Sequence, residues 1–140
     1  MSSWYYLVAQ LPSLSLDTEV PMPITEEYFL ELASRFLDKK SLKTLSELTL
    51  EPPKEVSKVS STLVKKWFDF ERTLRFALAE IRARRLKKEV DIQQKECPAF
   101  ILEIARTACG FESPLEAELY LAKQRMNYLT SITPSDIFCT

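Results

Sequence analysis

Side-chain catalysis draws on a small set of groups: an imidazole, an activated thiol or hydroxyl, or a pair of carboxylates. The 140 residues of this chain include no histidine. That removes the commonest general base, the usual nitrogen ligand of zinc, and every Ser-His-Asp or Cys-His arrangement. The three cysteines, Cys97, Cys109 and Cys139, are widely spaced and form no CxxC pair. With no imidazole to generate a thiolate, they read as free thiols in a reducing cytoplasm. A single glycine, Gly110, builds neither a P-loop nor a dinucleotide fingerprint. Carboxylates are the remaining route. Glu26 and Glu27 are explained by helix capping, and Glu116 and Glu118, two apart, point to different helix faces. These residues predict a protein that is not an enzyme and takes no cofactor, metal or small-molecule substrate.

Charge and aromatic side chains offer recognition chemistry instead. The net charge is −1, from 19 basic and 20 acidic residues, so no global field draws the chain to nucleic acid or anionic lipid. The charge is nevertheless polarised. Residues 60–95 carry ten basic against five acidic residues, with six against nine before them and three against six after. The basic excess gathers at Arg82, Arg84, Arg85 and Lys88. Cations at a helix C-terminus complement the helix dipole, and a row of them also suits an acidic protein surface. RNA is disfavoured because no aromatic platform or RNP-like motif accompanies the charge. At 100° per residue, Phe68, Arg72 and Phe76 fall on one helix face with Ala79 and Ala83. Either the helix is central and buried on both sides by the helices after Thr25 and Pro98, or that face is a partner surface anchored by two phenylalanines and an arginine.

The elements that must position these groups are mainly helical. One glycine argues against an all-β fold, whose turns need positive φ. Tyr5 to Gln10 reads as a short strand-like segment ended by Leu11-Pro12, and Pro21 and Pro23 keep the following linker extended. Thr25 is placed as an N-cap ahead of Glu26 and Glu27. Phe29, Leu32, Ala33 and Phe36 then follow at helical spacing, with a second short piece offering Leu42, Leu45 and Leu48. Pro52-Pro53 marks a subdomain boundary over 51–59 within one helical domain, 1–140. From about Ser60 to Glu89, Leu63, Trp67, Phe70, Leu74, Ala77 and Ile81 form the core stripe of a long helix. A shorter helix carries Ile101, Ile104, Ala105 and Ala108, with Gly110 expected as its left-handed C′ residue. Ser113-Pro114-Leu115-Glu116 reads as a capping box opening a last helix. Its stripe, Leu115, Leu119, Ala122, Met126 and Leu129, matches the rhythm of the long helix, so the two are expected to pack as a central antiparallel pair. No stretch approaches the roughly 20 apolar residues that span a bilayer.

At the N-terminus, Tyr5-Tyr6-Leu7-Val8-Ala9-Gln10-Leu11-Pro12-Ser13-Leu14 resembles the opening of a bacterial family encoded within V-type ATPase operons, whose members begin with a similar tyrosine-rich "YYLVAxLP" segment. A weaker similarity covers Trp67 to Leu86, where an aromatic-rich helix gives way to Arg75, Arg82, Arg84 and Arg85. That family is thought to resemble the C (d) subunit, the helical socket between the rotary stalk and the membrane ring. The resemblance implies a non-catalytic accessory or C-like subunit. It would be cytoplasmic, peripheral to the inner membrane through other V-type ATPase subunits, with no direct membrane insertion; no nucleic-acid partner is expected. The family is usually much longer than this chain, which implies a fragment or a minimal version. On this reading Phe68, Arg72 and Phe76 are the apolar anchor, and Arg82, Arg84, Arg85 and Lys88 meet an acidic stalk surface. The alternative is a small cytoplasmic helical adaptor, or a self-associating chaperone-like protein, unrelated to the ATPase.

Overall fold

A computed structural model describes residues 4–17, 19–54, 61–86 and 97–133. Among them the regular structure is helical, in the order α1 (Trp4–Gln10), α2 (Glu26–Phe36), α3 (Lys39–Ser46), α4 (Thr62–Arg85), α5 (Ala99–Gly110) and α6 (Pro114–Ile132). The chain divides into two compact units, 1–49 and 50–140.

The smaller unit holds α1, α2 and α3 around Leu7, Leu32 and Ala33, with Leu11, Phe36, Leu37, Leu42 and Leu45 partly buried against them. Thr25 is the N-cap of α2, accepting from the Tyr28 amide at 3.1 Å, and Glu26 and Glu27 occupy the first turn. Asp38 caps α3 in the same way, accepting from the Ser41 amide at 2.9 Å. Hydrogen bonds from Ser41 hold the Asp38 carboxyl below its ordinary range. The segment read as strand-like is the helix α1. A strand alternates faces and would bury Tyr5, Leu7 and Ala9 together. Here Tyr5 is exposed and Leu7 alone is buried, joined by Leu11 one helical turn on.

The larger unit is a helical bundle of α4, α5 and α6. Its core is Phe70, Leu74, Ala77 and Leu78 of α4, Ile101, Ala105, Ala108 and Cys109 of α5, and Leu121 of α6. Ser61 caps α4, its hydroxyl accepting from the Val64 amide. Ser113 caps α6, accepting from the Glu116 amide at 3.4 Å, with Pro114 in the first turn. Successive contacts give the directions. Lys66 meets Tyr128 and Glu71 meets Arg125, so α4 and α6 run antiparallel. Phe70 faces Phe100, and Arg85 donates to the Cys109 carbonyl, so α4 and α5 run alongside in the same sense. The closest packing of α4 is against α5, not α6.

Three details differ from the sequence reading. The long helix buries its stripe from Trp67 onward, while Leu63 stays 42% exposed. Gly110 is the last residue of α5, and Phe111 follows in extended conformation at φ −72°, so the helix ends without a left-handed residue. The third difference is in α6. It meets the bundle through Leu121, Arg125 and Tyr128, not through the Leu115 stripe, of which Leu115 is 60% exposed, Leu119 36% and Met126 41%. The antiparallel pairing of α4 and α6 therefore uses a face that the four-three rhythm does not mark.

Candidate functional site

Every described member of the proposed contact set sits on α4. Phe68 is fully buried in a small cluster with Val64 and Trp67. It is a core residue and not part of an exposed anchor, contrary to the expectation from the sequence: the second face of α4 is not uniformly open to solvent. Phe76 reaches the surface, and Arg72 is half-buried beside it. The Arg72 guanidinium lies over the Phe76 ring, 5.7 Å from its centroid, a cation–π contact. Phe76 is 42% exposed.

The segment after Thr49 runs against this part of α4. Arg72 Nη1 donates to the Lys54 carbonyl at 3.0 Å, and Arg75 Nη2 to the Leu50 carbonyl at 2.9 Å. These bonds satisfy carbonyls that Pro52 and Pro53 keep out of any helix. Between segment and helix lies a surface depression of about 250 Å³, lined by Pro52, Pro53, Lys54, Arg72, Arg75 and Phe76 together with Glu51. It combines an apolar floor with three cationic side chains.

Beneath it is a buried carboxylate. Glu71 is 3% exposed. Arg125 grips it with both arms of its guanidinium, Nε to Oε2 and Nη2 to Oε1, each at 2.9 Å. Arg75 Nε adds a third bond, to Oε1 at 3.0 Å. A charge this deep is tolerated only when it is paired and hydrogen-bonded, and the bidentate geometry provides both. Arg75 thus joins the buried carboxylate to the Leu50 carbonyl, and so fixes the wall of the depression. Neither Glu71 nor Arg125 stands out in the sequence reading. The i,i+4 spacing of Glu71 and Arg75 was the available signal, but nothing local announces a partner 54 residues away.

Beyond Phe76 the helix turns basic. Arg82 is exposed, and Arg84 reaches out to Glu80 at 2.6 Å with its own side chain 75% exposed. A pair that open is held loosely by competing water. Arg85 does something else: its guanidinium donates to the Cys109 carbonyl at the end of α5, satisfying an acceptor that the helix terminus leaves open. Lys88 lies outside the described residues. Of the residues marked by the sequence, Phe68 is core, Arg72 and Arg85 each hold a backbone carbonyl, and Phe76, Arg82 and Arg84 are exposed.

Burial, and secondarily Glu80, push the Cys97 thiol above its ordinary value, away from the thiolate that a nucleophile requires. Among the described residues no group of three or more Cys, Asp or Glu side chains converges as metal ligands would, and no helix is long and apolar enough to cross a membrane. No protein-family model, no curated protein and no solved structure matches this chain.

Proposed function

We propose that this protein is a non-catalytic interaction subunit, acting as an accessory or C-like component of a bacterial V-type ATPase and holding an acidic surface of its neighbours with α4. The observation that carries the reading is a set of side chains on α4: Arg72 and Phe76 one turn apart on one face, with the exposed Arg82 and Arg84 flanking that face on either side. It combines guanidinium groups with an exposed aromatic ring, the residue types that anchor protein interfaces. Its bundle supplies what such a surface needs. The α4 backbone is held by packing against α5 and by the Glu71–Arg125 bond to α6, so these side chains are presented on a rigid rod. The tyrosine-rich N-terminal segment supports the choice of assembly.

Affinity purification of a tagged chain from its native host, in mild detergent and low salt, tests the reading. Mass spectrometry of the eluate is expected to show V-type ATPase stalk or ring subunits, released as salt is raised. Recovery of the chain alone, with the ATPase intact elsewhere in the lysate, would overturn it.

A further inference from the structure

The stripe that α6 leaves in solvent is not a scatter of apolar residues. Leu115, Leu119, Ala122, Met126 and Leu129 are separated by four, three, four and three residues, the spacing of a coiled-coil seam over two heptads. The seam lies roughly 120° around the helix from Leu121 and Tyr128, the residues α6 gives to its own bundle. Leu115, Leu119 and Met126 are 60%, 36% and 41% exposed, and Ala122 and Leu129 are half-buried. Among the described residues, α6 meets its own bundle through Leu121, Arg125 and Tyr128, and Leu115, Leu119 and Met126 of the stripe stay exposed.

We infer that this seam pairs with the same seam of a second copy of the chain, the two α6 helices running antiparallel. Two features select that occupant. The first is charge. In the antiparallel register that sets Leu119 against Ala122, the exposed Glu116 of each copy faces the exposed Lys123 of the other, giving two opposite-charge pairs by symmetry. On the other flank Glu118 approaches Arg125 of the second copy, whose guanidinium already holds Glu71. The second is volume. The same register puts Leu115 opposite Met126 and the small Ala122 opposite the large Leu119, so the four layers between Leu115 and Met126 are filled, with Leu129 beyond the start of the facing helix. A parallel pair would instead set Ala122 against itself and leave a gap. Antiparallel helices also place opposite ends of their dipoles together.

The contact is short, about two heptads on one helix, so association belongs to the weak, concentration-dependent class. None of Arg72, Phe76, Arg82 and Arg84 belongs to the seam, so self-association and the proposed binding by α4 are separately testable.

Sedimentation equilibrium of the full chain over a wide concentration range is the test. The mass should rise from 16.2 kDa toward twice that value. The double variant Leu119→Glu/Met126→Glu should stay monomeric with its circular dichroism unchanged. Lys123→Glu alone should weaken association by about tenfold, since two attractive pairs become repulsive. Combining it with Glu116→Lys should restore the dimer, because the swap exchanges the two ends of each pair. A chain that is monomeric at every concentration, or a dimer indifferent to the seam variants, would overturn the inference. A dimer that the swap fails to rescue would overturn the antiparallel register, because a parallel pair sets Lys123 against Glu118.

Discussion

Glu71 is the residue on which the polar interior of the larger unit converges. It is nearly solvent-free and holds Arg125 by two bonds and Arg75 by one. Glu71→Gln keeps the shape but leaves two guanidinium groups around a neutral amide. The expected loss is about 3 kcal/mol in urea unfolding. Glu80→Gln, which loses only the open pair with Arg84, should cost under about 1 kcal/mol. Gly110 offers the opposite test. It is helical, and a Cβ added there would meet nothing within 4 Å, so Gly110→Ala should stabilise the bundle by about 0.5–1 kcal/mol. Tyr128 gives a pH dependence. Burial first, and Asp69 second, raise its phenol above the ordinary 10.0. The fold therefore favours the protonated phenol, and this contribution to stability is present below pH 10.0 and lost as pH rises through the higher folded value. Melting temperature followed against alkaline pH should fall less steeply in Tyr128→Phe than in the parent. At this scale the caps were legible, because Thr25 and Ser113 act within three residues. The Glu71–Arg125 bond was not, because its partners meet only when α4 and α6 fold together.

At the scale of elements, what periodicity can and cannot decide is clearest in α6. Its opening was readable from Ser113-Pro114-Leu115-Glu116, and Ser113→Ala should remove about 1 kcal/mol by leaving the Glu116 amide without its acceptor, measurable by the same urea titration. Its packing face was not readable. Leu115, Leu119 and Met126 of the regular stripe are exposed, while the face that packs combines Leu121 and Tyr128 with a charged Arg125, a mixture that no hydrophobic period detects. In α4 the period was a sound guide, since Phe70, Leu74 and Ala77 are all buried. The second face of that helix divides between interior and surface, with Phe68 enclosed and Phe76 half in solvent. The reading of α1 failed for a different reason. Aromatic and β-branched residues favour strands weakly, and the packing of Leu7 and Leu11 with the Leu32–Ala33 turn of α2 outweighs that preference.

At the scale of the whole molecule, the chain is two helical units whose charges differ in sign along the sequence: the basic excess of 60–95 belongs to the larger one. The helical class followed from a single glycine and from helical spacing. The function did not follow from any group of catalytic type, and the proposal rests on a surface. That surface is narrower than the sequence reading drew it. Arg84 and Arg85 changed together to Glu would confuse binding with folding, because Arg85 closes the end of α5. Arg82 and Arg84 avoid the difficulty. The most direct measurement is therefore recovery of V-type ATPase subunits by the tagged chain and by its Arg82→Glu/Arg84→Glu variant, alongside the melting temperature of each. The account predicts that the variant melts as the parent does yet recovers far less of the ATPase, with a shallower dependence on salt. Equal recovery by both chains would contradict it.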